Sequence, residues 1–486
     1  MNKHSTDFRN KSEIDWIRDL WHLHSQRLDI TNLLGLRLTE RQELAKLEKL
    51  VGYLNDSTLK LELLQMQIRY LMDTGDLFAA KKMSDKLVKL AKEGEHTSLL
   101  CLAFDLRAMI HREMSQMNKS LEDYKMAERL AEGETRKAEI CLGEGLTLVY
   151  ANRLIEGEEL LQGAISVAEK YEDLSILPDA YNSLGICLSQ QGKYSEALSA
   201  YKHALEVYDK TGYKIGKATV LGNMAEIFHY LGLYDEVLQS ARDCVRFGQE
   251  AEDRLSIALG YEMLGRIMVD LDDCLAAADY HNRAAEILKE AGDTGMQAKN
   301  LVHLAVALAR LGKTKEAQQY FGMAEDICNE LDTQDLVHSI MVNKIFAIRL
   351  FADRSEALDT IEQYVSLSRK RGNKKELCSL LLERSRILWE DSKLELAQKS
   401  FEEALSLVGK VFDRPLLIKL HSFGYQLYQS LDQKAKSKEH LGLGMAILNE
   451  IVAVIKNDKI REKFLSKEEI KILLNKERIE ELEGEA

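Results

Sequence analysis

Three places in this 486-residue chain hold residue types whose spacing could do chemistry. Gly312-Lys313-Thr314 is the ending of a phosphate-binding loop, where backbone N–H groups wrap an anion and the lysine reaches its outer oxygens. Such a loop needs a further glycine five residues before Gly312 and a buried strand upstream. That position is Ala307, and nothing before it reads as a strand. His22 and His24 stand two residues apart, which on a helix puts them on different faces, so they read as a solvated pair and not as metal ligands. Residues 441–446, LGLGMA, carry two glycines but lack the third of a dinucleotide fingerprint. No H-E-x-x-H and no Ser/His/Asp elbow is present. Seven cysteines, at 101, 141, 187, 244, 274, 328 and 378, lie far apart without a C-x-x-C, and read as small buried residues. The expectation is therefore no enzyme, no cofactor and no metal.

The glycine motif has a different origin. Residues 309–317, ARLGKTKEA, nearly repeat residues 189–197, SQQGKYSEA, and Gly192 to Gly312 is 120 residues, three periods of 40. A small residue recurs in the first helix of each period as Gly145, Gly185, Ala225, Gly265, Ala305 and Ser385. The turn recurs as Asn152, Gly192, Gly232, Asp272 and Gly312. In the second helix Ala197, Ala277, Ala317, Ala357 and Ala397 keep register, with Val237 as the larger exception. Tyr201, Phe321, Ile361 and Phe401 follow four residues later, and Ala204, Cys244, Ala284, Ala324 and Ala404 three after that. Residues 4 and 7 apart share one helix face, and small side chains there let a neighbouring helix approach closely. Gly212, Gly292 and Gly372 mark a second turn, between periods. The pattern predicts antiparallel helix pairs, none able to cover its own apolar face, stacked on a shared core.

Tyr181, Leu184, Gly185, Leu188, Gly192, Tyr194, Ala197, Tyr201 and Ala204 carry a resemblance to the tetratricopeptide repeat. The period of 40 resembles the longer repeats of bacterial regulatory and signalling proteins. What the resemblance implies is an all-α fold, a solenoid of stacked helix pairs in a right-handed superhelix, with about ten repeats and helical caps. Backwards the register continues through Gly157, Leu161 and Ala164; Ala127 to Ala164 is 37 residues, so one junction is three residues short. We divide the chain into an N-terminal helical cap or docking arm over 1–57, a repeat array over 58–455 and a C-terminal capping helix over 456–486. Ser12 with Asp15, and Thr39 with Gln42, are placed to start two N-terminal helices carrying Ile14, Ile17, Leu20, Trp21, Leu44, Leu47 and Val51. These helices are either a plain cap, or an arm that docks on a partner or folds into the groove. Near the other end, Ser466 and Glu469 have the spacing of a capping box, with Leu465 and Ile470 as its staple.

Only two prolines, Pro178 and Pro415, interrupt a chain without Gly/Ser-rich linkers, so helix can run from end to end. A net charge of −13 argues against nucleic acid as a direct partner, which needs a basic surface. The N-terminus lacks the apolar run of a signal peptide and no long apolar window follows, so the reading is cytoplasmic with no membrane contact. The resemblance implies that the first helix of each repeat lines an inner groove. Carried onto this sequence, the groove positions are Asn182, Asn223, Glu226, His229, Tyr230, Glu262, Arg266, Lys299, His303, Arg310, Asn343, Arg349 and Arg386. Asparagine there offers a donor and an acceptor to an extended backbone, and the basic members favour an acidic or C-terminal carboxylate. A chaperone tail is not expected, because Asn182 and Ile186 stand where a two-carboxylate clamp needs Lys and Asn. The implied function is a non-enzymatic scaffold that binds a peptide or helical segment of a partner protein. The alternative is a sensory arm that modulates a separate kinase, cyclase or transcription factor on ligand binding. Oligomeric state is left open.

Overall fold

Helix is the only regular element among the residues that the computed structural model describes: 13–34, 37–54, 56–331, 345, 354–371, 374–408 and 413–474. The first helices are α1 (Glu13–Leu34), α2 (Arg37–Leu54), α3 (Ser57–Asp73), α4 (Leu77–Glu93), α5 (Thr97–Glu113) and α6 (Met117–Leu130). Then come α7 (Glu134–Tyr150), α8 (Leu154–Lys170), α9 (Leu177–Gln190), α10 (Tyr194–Thr211), α11 (Lys214–Tyr230) and α12 (Tyr234–Glu250). They continue as α13 (Arg254–Asp270), α14 (Cys274–Ala291), α15 (Thr294–Arg310) and α16 (Thr314–Leu331). The last are α17 (Arg354–Arg371), α18 (Lys374–Glu390), α19 (Leu394–Val408), α20 (Arg414–Ser430), α21 (Lys434–Val454) and α22 (Asp458–Leu465). Both prolines sit in the first turn of a helix, in α9 and α20, where their missing N–H costs nothing.

Turn chemistry sets the period. One residue of each turn inside a pair adopts positive φ: Gly75, Ser115, Asn152, Gly192, Gly232, Asp272, Gly312, Ser392 and Asp432. Among the described residues their spacing is 40, or 80 between Gly312 and Ser392, apart from the step of 37 between Ser115 and Asn152, which is the short junction seen in the sequence. The left-handed residue lets its own N–H and the next one fold back onto open carbonyls of the helix end. At Gly192 its own N–H reaches Ser189 O at 2.9 Å and the N–H of Lys193 reaches Leu188 O at 2.9 Å. In the turn between pairs Glu95, Glu172 and Glu252 fold back alike, whereas Gly212 closes its helix with one bond, its N–H to Tyr208 O at 2.9 Å, and Gly133 and Gly292 also take positive φ. The sequence marked Gly212 and Gly292 but not Gly133, and it missed the glutamates because glutamate rarely takes positive φ; Gly372 lies outside the described residues.

The same geometry disposes of the phosphate loop. Gly312 N–H bonds Ala309 O and Lys313 N–H bonds Leu308 O, both at 3.0 Å, so the donors an anion would need are already used. Ala307 lies buried within α15.

Packing follows the small residues. Ala197, Ala277, Ala317, Ala357 and Ala397 are all but fully buried, and so are Tyr201, Phe321, Ile361 and Phe401. At Gly185 a Cβ would stand 2.4 Å from the Tyr201 ring, so the aromatic side chain occupies the space that glycine leaves. Six of the cysteines are buried and Cys141 is partly so.

The chain divides into two units. Unit 1 comprises Met1–Val220, Arg246–Ser256 and Ala291–Asp293; unit 2 comprises Leu221–Val245, Ile257–Glu290 and Thr294–Ala486. Within unit 1, the pair α1 and α2 packs through Trp21, Leu28, Leu44, Leu47 and Val51, and the next pairs share Ile68, Leu87, Phe104 and Tyr124. Helix α2 begins at Arg37, two residues ahead of the Thr39 start that the sequence suggested. Unit 2 contains a core in which residues 225–271 pack with 418–473, among them Tyr234, Ile267, Ile418, Ile451, Phe464 and Leu473. At its end the expected capping box does not form. Ser466 closes α22, its hydroxyl donating to Lys463 O at 2.7 Å, and residues 468–474 form a separate short helix after Lys467.

Candidate functional site

Helices α11, α13 and α15, each the first of its pair, bring together most of the residues expected to line a groove. Asn223, Glu226, His229 and Tyr230 lie on α11, Glu262 and Arg266 on α13, and Lys299, His303 and Arg310 on α15, all within unit 2. Arg386 lies on α18 of the same unit, whereas Asn182 lies on α9 of unit 1. Asn343 and Arg349 fall outside the described residues.

These side chains form a charge ladder. Tyr230 donates its hydroxyl to Glu226, and Arg266 exerts the main attraction on both Glu226 and Glu262. Burial acts to raise the Glu226 pKa, but Arg266, the Tyr230 hydroxyl and Lys375 outweigh it and hold it below the usual carboxylate range. For Glu262 burial wins, and Arg266 and Lys299 only partly offset it, so its pKa is raised. Glu226 and Lys299 nevertheless keep water-exposed surface, and Glu262, Arg266 and His303 are partly exposed. They are walled by protein but reachable by water. His303 stacks on His281 at 5.1 Å, and burial together with His281 drives its pKa far down. His281, itself pushed to about 4 by burial, bonds Asn300 at 3.1 Å. Two expected members turn away. Arg310 donates to Val269 O at 3.4 Å, and Arg386 is held by Glu383 at 3.2 Å and by Lys419 O at 3.4 Å.

Facing this ladder are residues that sequence reading did not select. His229 pairs with Asp270, and Lys419 of α20 stands 3.6 Å from the same carboxylate. Burial opposes ionisation of Asp270, yet Lys419 and His229 together keep its pKa well below the ordinary value. Lys375 lies 3.5 Å from the centre of the Tyr230 ring and 2.9 Å from Asp413, the carboxylate that caps α20 through Leu416 N–H. Arg414 donates to Leu231 O at 3.1 Å, 183 residues away. Lys467 and Glu469 pair at 3.4 Å, and although burial alone would raise it, Lys467 and Lys419 hold the Glu469 pKa at about 2. Apart from Glu469, which the sequence marked only as a capping-box member, the signal for these residues was their charge.

A separate cleft of about 560 Å³ opens beside α22, lined by Asp235, Glu236, Arg242, Leu271, Ile460 and Lys463 among others. None of the expected groove residues lines it. Lys463 pairs there with Asp273, and Asp235 accepts the N–H of Lys456 at 2.6 Å. His24 departs from the solvated reading: its Nδ1 lies 2.5 Å from the buried carboxylate of Glu43. No group of three or more His, Cys, Asp or Glu side chains is placed to hold a metal among the described residues, and no described helix is long and apolar enough to cross a membrane.

The sequence profile described as tetratricopeptide repeat matches residues 142–210 and 177–250. The apo form of RapI is similar in fold with a TM-score of 0.50 at 14% identity, over 72% of this chain and 98% of that one. A Rap protein complexed with Competence and Sporulation Factor gives a TM-score of 0.47 at 16% identity, over 80% and 99%. The Tonsoku-like protein of Drosophila melanogaster is 21% identical over 229 residues, 43% of this chain and 16% of its own length. This chain thus spans a small part of that relative.

Proposed function

Taking as premise that this chain is a tetratricopeptide-repeat protein, we propose that it captures a peptide or helical segment of another protein along the inner face of α11, α13 and α15. A single observation carries this reading. Helices whose packing faces are buried keep Glu226, Arg266 and Lys299, with the uncharged His303 beside them, in reach of water, so that acidic and basic groups both lie open to an extended chain. A polar, partly desolvated trough strengthens each charge-assisted hydrogen bond to a ligand. Arg266 and Lys299 offer sites for acidic groups, and Glu226 and Glu262 for basic ones. The partner segment is therefore of mixed charge. No step of bond making is assigned to the site.

The test is affinity capture with the wild-type chain and with Asn223→Ala/Arg266→Ala/Lys299→Ala, followed by mass spectrometry of what is retained. The proposal expects at least one protein retained by the wild type and lost by the variant at unchanged helicity. Retention of the same set by both would remove the inner face from consideration.

A second reading, a sensory arm, draws on the contacts between the trough and α18 and α20. A ligand that reaches Glu226 and Tyr230 competes with Lys375, and one that reaches Asp270 competes with Lys419. Binding would then loosen that packing. Amide exchange in α20 that quickens on ligand binding supports this reading, and unchanged exchange rejects it.

A further inference from the structure

Helix α1 carries two apolar stripes. One, with Trp21 and Leu28, is buried against α2. The other consists of Trp16, Leu20, Leu23 and Ile30, which are 39%, 43%, 50% and 55% exposed. With Arg27 filling the gap, the steps along this second stripe are 4, 3, 4 and 3 residues, the seam spacing of a coiled coil. At ~100° per residue the five positions fall within about 80° of arc, a band narrow enough to be covered by one further helix. Isolated exposed apolar residues need no explanation, but a register of this kind does.

We propose that the stripe pairs with α1 of a second copy of the chain, antiparallel, about a two-fold axis at Leu23. The stripe carries its own complement in charge, Asp19 for Arg27, and that complement sets the direction. A parallel, in-register pair would set Arg27 against Arg27 of the second copy inside the seam, two like charges in a partly desolvated place. Reversed about Leu23, residues equidistant from the axis meet. Trp16 then packs on Ile30 of the second copy, and Asp19 falls beside Arg27 of the second copy, with both contacts made twice by symmetry. The Arg27 side chain is half exposed while its guanidinium stands 3.3 Å from Glu43, so it can reach outward without leaving a charge stranded. Four half-exposed side chains per copy bury less than the ~1,200 Å² of a standard interface, and the dimer dissociates on dilution.

Sedimentation velocity over a concentration series tests this. The wild type moves from monomer to dimer as concentration rises. Leu23→Glu, which sets two carboxylates at the axis, raises the dissociation constant about tenfold or more. Because Leu23 is exposed, helicity and melting temperature stay unchanged. For direction, Trp16→Cys and Ile30→Cys copies in a Cys141→Ser background are mixed and mildly oxidised. A disulfide between the two kinds of copy is expected, and Trp16→Cys alone gives none. A wild type that stays monomeric at every soluble concentration, a Leu23→Glu dimer as tight as the wild type, or a Trp16→Cys chain that crosslinks to itself would each overturn the proposal.

Discussion

In unit 1, side-chain bonds between described helices join near neighbours at Arg107 with Asp123 across 16 residues, Arg136 with Asp105 across 31, and Tyr171 with Glu134 across 37. In unit 2 such bonds also span 183 residues at Arg414 and Leu231, 190 at Lys463 and Asp273, and 221 at Lys456 and Asp235. Unit 1 has a distant approach too, Gly75 to Asp293, but at 3.6 Å it is an ordinary van der Waals contact. The same hairpin thus supports two kinds of stability. Where each pair leans only on the next, stability is a sum of local terms and ends can fray. Where distant helices are tied together, loosening either partner exposes the other, so the segment melts as one.

Acidification is the strongest way to separate the two. His281 and His421 of unit 2 are held neutral by burial, with pKa values of about 4 against 6.5 for the free side chain. As pH falls below 6.5 the unfolded chain takes up these protons and the folded chain does not, so stability declines between about 6.5 and 4 and then levels for these groups. Each histidine contributes a loss on the order of 3 kcal/mol. Segment-resolved hydrogen exchange is expected to show this loss in α14 and α20, and His421→Gln to flatten the slope.

Next in size is Asp270→Ala, which leaves Lys419 and His229 without their shared carboxylate and costs about 3 kcal/mol in denaturant unfolding of unit 2. Gly232→Ala against Gly192→Ala compares one turn position in both units. Each places alanine at positive φ, 71° and 78° respectively, at about 1 kcal/mol or somewhat more. At Gly232 the added Cβ also meets Ile451 at 2.8 Å, whereas Gly192 has nothing within 4 Å. The Gly232 variant is therefore expected to lose about 1–3 kcal/mol more, read from urea midpoints. Smallest of all, Glu134→Ala removes the exposed pair with Lys170 in unit 1 and is expected to leave the melting temperature unmoved. A measurable drop would mean that unit 1, too, depends on its surface ions.

The repeat was legible because its causes are local. Positive φ at Asn152, Gly192 and Gly312, and small residues at Gly185 and Ala197, follow from what one turn or one helix face requires, and the sequence repeats those requirements every 40 residues. Even the 37-residue junction could be read before Ser115 and Asn152 were seen at its ends. Local pattern misled at Ser466, whose capping-box spacing lost to the end of α22, and at Glu172 and Glu252, which do a glycine's task in the turns between pairs. At the trough, the sequence placed Glu226, Arg266, Lys299 and His303 on corresponding faces of successive first helices, since a face is fixed by register. It did not determine that Lys375, Lys419 and Asp413 would face them, nor that Arg310 and Arg386 would turn aside to nearby carbonyls. Those outcomes depend on which helix comes to lie opposite, from the next repeat for Arg310 to more than a hundred residues on for Lys375 and Lys419. No spacing within one repeat encodes that; only the stacking of many repeats decides it.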